Sequence, residues 1–261
     1  MSLIMHKKAI ICGGSQGIGK AISLELLSKG YSVLAISRSE PDLKDFKTVE
    51  GVNTENRFRH LQIDLNSSSL VSSAIQEECR LNGPYSVLIN NSGGPLPGSI
   101  MQATPDAFRK AFEQHVIANQ ILVQAVVPSM KSQCFGRIIN IISTSVKQPL
   151  PGLGVSNTIR AAVANWSKTL SRELAPFGIT VNNVLPGATL TSRLKQIIEN
   201  KANTEQKSVS AIEAEMLSEI PTGRFAKPEE IASVVSFLCS EAASYITGIN
   251  LPVDGGRTLS L

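Results

Sequence analysis

Short runs of β-branched and other apolar residues alternate with longer amphipathic stretches from end to end of the 261-residue chain. The strand-like runs are Lys8–Cys12, Ser32–Ser37, Phe58–Ile63, Val87–Asn90, Arg137–Ile142, Ile179–Val184 and Ile249–Val253. Most are continuously apolar, the pattern of parallel strands covered on both faces by helices. Between them, Ile18–Lys29 carries Ile18, Ala21, Ile22, Leu24, Leu26 and Leu27 at helical spacing and stops at Gly30. Ser67–Leu81, Pro105–Val127, Ser156–Leu174 and Pro228–Cys239 read likewise, and Pro105 and Pro228 suit first-turn positions. Repeated βα units predict a parallel α/β sheet with right-handed crossovers. The one long interruption, Thr191 to Phe225, is polar and helical in tendency, with Ala211–Ile220 its best helix. It reads as a segment (191–225) covering a site within one domain that spans residues 1–261.

Composition narrows the partners. Apolar residues make up 42% of the chain, enough for a sizeable core, which excludes a disordered or collagen-like protein. Lys and Arg number 25 against 21 Asp and Glu, and this surplus is scattered, its densest run being Arg57-Phe58-Arg59-His60. With no basic patch, neither nucleic acid nor a membrane surface is an expected partner. Cys12, Cys79, Cys134 and Cys239 lie far apart, without metal-ligand or disulfide spacing, so no metal is expected and a reduced, cytoplasmic compartment is. No run of about 18 or more apolar residues suggests a membrane span. Met1–Met5 (MSLIM) is too short for a secretory signal's apolar region.

Two architectures fit such a pattern: an open doubly wound sheet and an eight-stranded α/β barrel. The first βα turn decides. It reads Cys12-Gly13-Gly14-Ser15-Gln16-Gly17-Ile18-Gly19, directly after a strand and opening a helix. Glycine there permits a tight turn, close approach of backbone to a pyrophosphate, and close packing of helix on strand. The helix N-terminus then offers free N–H groups and a positive dipole end to phosphates. The turn predicts a dinucleotide site in a doubly wound sheet of about seven strands, a Rossmann fold.

These residues resemble the short-chain dehydrogenase/reductase family, whose glycine pattern is T-G-x-x-x-G-x-G, with Cys12 in the threonine position. The resemblance covers nearly the whole chain. Asp64-Leu65 is similar to the family's adenine-contacting Asp, and Asn90-Asn91-Ser92-Gly93 to its N-N-A-G. Pro186-Gly187-Ala188-Thr189-Leu190-Thr191 resembles its P-G-x-x-x-T beside the nicotinamide. Gly223-Arg224-Phe225, Pro228-Glu229-Glu230, Thr247-Gly248 and Val253-Asp254-Gly255-Gly256 match its C-terminal pattern. The resemblance implies cofactor contacts at Gly13, Ser15, Gln16, Gly17, Ile18, Gly19, Asp64, Leu65, Asn91, Gly93, Pro186, Gly187, Thr189 and Thr191. It also implies a homodimer or homotetramer.

A carboxylate ending the second strand would accept hydrogen bonds from the ribose hydroxyls of NAD. Ser37 stands there instead, followed by Arg38 and Ser39. An acid would repel a 2′-phosphate, whereas an arginine offers it a charge-assisted fork. NADP(H) is therefore expected over NAD(H), the alternative being that Arg38 is a solvated loop residue.

The family's chemistry rests on an Asn in the middle helix, a Ser after the fifth strand and a Tyr-x-x-x-Lys on the next helix. Aligned on Gly136-Arg137-Ile138-Ile139-Asn140, Ser143 takes the serine's place. Ser156 stands where the tyrosine should, Arg160 where the lysine should, and His115 in the asparagine's position. An alkyl hydroxyl is a poor acid, and arginine, with a pKa above about 12, keeps its proton. Losing a positioned acid costs typically about 10²–10⁴-fold, or roughly 3–5.5 kcal/mol. Tyr31, Tyr85 and Tyr245 all fall far from the expected place.

Three readings follow. In the first, the chain is an oxidoreductase that reduces a carbonyl or oxidises an alcohol, Ser143 polarising the carbonyl and His115 or a water supplying the proton. Its overall pattern leans toward 3-oxoacyl-thioester reductases. In the second, Ser156 and Arg160 reshape the pocket for another small-molecule substrate, a carboxylate or phosphate suiting Arg160's fork. Arg160 holding the ribose diol, and His115 bonding to backbone, are the plainer alternatives. In the third, the chain binds NADP(H) with little or no turnover, as a sensor or a partner subunit. A low-pKa Cys12 at the helix N-terminus would suit a redox sensor, whereas a buried strand end would make it a small apolar filler. Specificity is expected from Gly93–Gly98, Lys147–Gly154 and Thr191–Phe225.

Overall fold

The computed structural model describes residues 7–49 and 51–260, the side chain of Val52 excepted. The MSLIM segment therefore lies outside the described residues. Seven strands form one parallel sheet: β1 (Lys8–Cys12), β2 (Ser32–Ser37), β3 (Phe58–Gln62), β4 (Val87–Asn90), β5 (Gly136–Ile141), β6 (Ile179–Pro186) and β7 (Asn250–Val253). Their spatial order is β3-β2-β1-β4-β5-β6-β7. This is the doubly wound Rossmann arrangement, and the barrel alternative is excluded. An antiparallel pair, Thr48–Val49 with Val52–Asn53, was not foreseen from the sequence.

Both sheet faces are apolar because each strand sends alternate side chains to opposite sides. From β1, Ala9 and Ile11 join the cluster under α1 (Gly17–Ser28) and α8 (Pro228–Cys239), through residues such as Ile22, Leu26, Ile231 and Val235. Ile10 and Cys12 join the opposite cluster, under α2 (Ser68–Asn82) and α4 (Ala118–Ser132), with Val71, Ile75, Leu122 and Val126. Each fully buried Ile or Leu here contributes about 1.5–3 kcal/mol.

A row of asparagines crosses four strands at one level. Asn90, Asn140, Asn183 and Asn250 face one another in register. Asn90 Nδ2 donates to Asn140 Oδ1 at 2.8 Å, Asn140 Nδ2 to Asn183 Oδ1 at 2.8 Å, and Asn183 Nδ2 to Asn250 Oδ1 at 2.7 Å. A one-residue slip would strand several amides without partners, so the row pins the register of the four strands.

Two helical readings need correction. The stretch read as one helix from Pro105 to Val127 is α3 (Pro105–Phe112), a π turn (Glu113–Ile117) and α4, which runs through Pro128 to Ser132. Residues 191–225, for which the sequence favours one helix over Ala211–Ile220, hold two, α6 (Ser192–Glu205) and α7 (Val209–Ser218). Leu194, Ile198 and Ala202, four residues apart, bury α6 against Ile212. The remaining helix, α5 (Gly154–Leu174), follows β5. Among the described residues no helix is long and apolar enough to cross a membrane.

Candidate active site

The strand order reverses at β1, so its neighbours β2 and β4 lead the chain away in opposite directions and a crevice opens beyond their C-terminal ends. A cavity of about 380 Å³ lies there. The turn after β1 brings Gly13 and Gly17 to φ +62° and +53°, the left-handed region. A Cβ on Gly13 would come within 2.7 Å of Asn91 Nδ2 and 2.8 Å of Asn91 O. One on Gly19 would fall 2.0 Å from Gly13 O, so backbone packs directly on backbone. Asn91 Nδ2 ties the two loops together by donating to Cys12 O at 3.1 Å. No side chain caps α1 and its first turn holds no acid, leaving the helix's positive end for an anion.

Of the residues singled out from sequence, all but Gly19 and His115 line this cavity. They are Gly13, Ser15, Gln16, Gly17 and Ile18 in the first turn, Arg38 and Ser39 after β2, Asp64 and Leu65 after β3, and Asn91 and Gly93 after β4. Ser143, Ser156, Arg160, Pro186, Gly187, Thr189 and Thr191 complete the set. Gly19 does not line the cavity and instead packs against Gly13. Missed were Ser92, Gly94, Gln114 and Arg193, which also line the cavity. Ser92 and Gly94 sat inside or beside a quoted motif; Arg193 carries no local signal.

At the β2 end, Ser37 Oγ donates to Ser39 O at 2.8 Å and lies 2.8 Å from His60 Nε2. Gln62 Nε2 holds Arg38 O at 2.8 Å. Arg38 makes no ion pair with a carboxylate among the described residues. Asp64 accepts from Asn66 N and Nδ2 at 3.0 and 2.9 Å, which shapes the turn after β3.

At the opposite end, Ser143 Oγ accepts from Ser145 N at 3.1 Å and caps a short turn. Arg160, buried, donates through Nη1 to Ile141 O at 3.0 Å and through Nη2 to Ser92 O at 3.3 Å. Burial, with the nearby Arg193 charge adding to it, pushes the Arg160 guanidinium down to about 10, still protonated at neutral pH. Arg193 donates to Pro95 O at 2.7 Å and so joins α6 to the 93–98 loop.

His115 stands behind the cavity wall. It is 2% exposed on the π turn, and its Nδ1 lies 2.7 Å from Ser92 Oγ. Burial first, then the Arg160 charge, hold its pKa well below 6.5, the Gly93 backbone pulling the other way. The ring lies outside the cavity, and burial favours its neutral form. None of the three tyrosines substitutes. Tyr31 and Tyr85 are buried on Cys239 O and Glu78, and Tyr245 is fully exposed away from the cavity. The Cys12 thiol is buried and pushed up to about 12, its backbone contact with Asn91 only partly offsetting burial, as suits a small apolar filler at a strand end.

Residues 13–258 match the family described as enoyl-(acyl carrier protein) reductase. The NADPH-dependent reductase BacG of Bacillus subtilis is 32% identical over 98% of this chain and 99% of its own length. Human dehydrogenase/reductase SDR family member 4 is 31% identical over 97% of this chain and 88% of its own. The crystal structure of L-sorbose reductase from Gluconobacter frateurii, complexed with NADPH and L-sorbose, superposes with a TM-score of 0.89 at 30% identity, covering 99% of this chain and 98% of that one.

Proposed function

The chain belongs to the short-chain dehydrogenase/reductase family, and from that premise we propose that it is an NADP(H)-dependent oxidoreductase acting on a C=O or CH–OH compound without a tyrosine acid. One observation carries this reading. A single cavity joins an uncapped helix N-terminus, a strand end with Arg38 in place of a carboxylate, and the hydroxyls of Ser143 and Ser156. The names of BacG and of the sorbose reductase complex support NADPH.

The residues fit the dinucleotide, since side chains at positions 13 and 19 would fill or disrupt the cradle. The α1 N–H groups would hold the pyrophosphate, Arg38 and Ser39 the 2′-phosphate, and Asp64 and Leu65 the adenine side. Asn91, Gly93 and Arg160 would face the nicotinamide ribose, and Pro186, Gly187, Thr189 and Thr191 the nicotinamide end. NADPH, when bound, supplies the hydride.

Ser143 polarises the substrate carbonyl. The proton comes from water held among the hydroxyls of Ser92, Ser143 and Ser156, while the Arg160 charge stabilises the developing alkoxide. His115 is a positioning residue that fixes the Ser92 hydroxyl. Residues 191–225 cover the site, anchored where Leu190 N and Ala226 N bond to Ala226 O and Ala188 O.

The departures at Ser156 and Arg160 favour a second reading, a cofactor-binding protein with little turnover. Titration with NADPH, followed by NADPH oxidation across a carbonyl panel, separates the two for wild type, His115→Ala and Ser156→Tyr/Arg160→Lys. Turnover by wild type supports the oxidoreductase. Tight binding with turnover only in the double variant supports the second reading, and no NADPH binding overturns both.

A further inference from the structure

The reacting end of the cavity holds positive charge that no carboxylate among the described residues balances in an ion pair. Arg193, on the first turn of α6, reaches across to Pro95 O, and Arg160 bonds through Nη1 to Ile141 O and through Nη2 to Ser92 O. A guanidinium has five N–H donors, so each retains capacity beyond these bonds. Neither makes an ion pair with a carboxylate among the described residues. Asp64, the one acid among the described lining residues, stands after β3. Keeping two like charges partly or wholly out of water without a counter-ion is costly, so a ligand that supplies one is favoured.

The geometry shows where that ligand group would sit. A methyl carbon built on Gly94 would lie 3.5 Å from Arg160 Nη2, 3.8 Å from Arg193 Nη2 and 4.0 Å from Ser156 Oγ. Three donors thus converge on one spot, and the missing side chain of Gly94 leaves it open. The position carries no left-handed φ, so backbone strain does not demand glycine there.

We infer that Arg160, Arg193 and Ser156 form a subsite for an anionic oxygen group, a carboxylate or a phosphate, on the carbonyl or hydroxy substrate. The inference rests on the reading of this cavity as a reductase site. It makes Arg193 a specificity residue, supplied by the covering segment.

The test is calorimetric titration of the NADP⁺-loaded protein with two matched pairs: 4-oxopentanoate against its methyl ester, and dihydroxyacetone phosphate against dihydroxyacetone. The anionic member of at least one pair binds about ten- to a hundredfold more tightly, as a charge-assisted hydrogen bond provides, and the larger ratio identifies the source. Arg193→Gln abolishes the preference, Arg193→Lys retains part of it, and Gly94→Ala weakens it, each with thermal unfolding checked against wild type. Equal binding within both pairs overturns the subsite, as does an Arg193→Gln variant that keeps the preference or loses NADPH affinity instead. NADPH oxidation read in parallel separates the two claims. Anion preference with no oxidation of NADPH by any carbonyl contradicts the reductase reading alone. Oxidation that ignores the anionic group contradicts the subsite alone.

Discussion

Ser92 Oγ and His115 Nδ1 lie 2.7 Å apart, and of the two only Ser92 lines the cavity. Under the proposed function the imidazole acts on the site through a hydroxyl, as a neutral partner. Replacing it with the family's residue, His115→Asn, should lower kcat by less than about tenfold, whereas removal of a direct acid costs about 10²–10⁴-fold. The pH profile of NADPH oxidation should keep its shape between about pH 5 and 8, where an unperturbed histidine titrates. Steady-state profiles of both proteins check this; an inflection present in wild type and lost in the variant would contradict it.

The same burial makes stability depend on pH. In the unfolded chain His115 titrates near 6.5, and in the fold its pKa is well below that. Below pH 6.5 the unfolded state binds a proton that the folded state refuses, so stability is lost as pH falls through 6.5 toward the folded value. His60 is shifted in the same direction but is more exposed. Urea midpoints at about pH 7.5 and 5.5 should fall further for wild type than for His115→Asn; equal losses would show that His115 is not the group responsible.

Arg38→Ala tests the cofactor choice. Loss of a charge-assisted contact, about 1.5–3 kcal/mol, should weaken NADPH binding by roughly ten- to 150-fold and leave NADH nearly unchanged. Fluorescence titration with each cofactor measures the ratio. Parallel losses for both would assign Arg38 to something other than the 2′-phosphate.

Two glycines of the cavity region make opposite predictions. Gly19→Ala forces a carbon against Gly13 O and should destabilise the protein by about 1–3 kcal/mol while loosening NADPH binding. Gly93→Ala meets nothing within 4 Å and should unfold like wild type. Thermal melts with and without NADPH compare them, and a Gly19→Ala protein as stable as wild type would refute the packing role.

Much of the fold is legible along the chain because parallel buried strands are short continuous apolar runs, and β1, β2 and β4 have the bounds the pattern predicts. The π turn at Glu113–Ile117 keeps the helical spacing of apolar residues on either side, so periodicity cannot reveal it. Helix α6 escaped notice because its three buried residues are outnumbered by charged and polar ones. Around the cavity, most of the residues in motifs line it where their position in the motif puts them. Arg193 was not foreseen, since its partner Pro95 is 98 residues away and only the fold brings them together. For His115 the sequence leaves a proton donor and a backbone-bonded ring both open, because position in a motif says nothing of burial, and burial lowers its pKa.

The most direct test of the central claim is transfer of deuterium from NADPH labelled at the nicotinamide C4 to a carbonyl substrate, followed by mass spectrometry of the alcohol. Wild-type protein, with Ser156 and Arg160 in place, should yield alcohol carrying deuterium on carbon, its hydroxyl proton drawn from water. NADPH bound tightly to the wild-type protein with no deuterated product from any member of a carbonyl panel would contradict the claim.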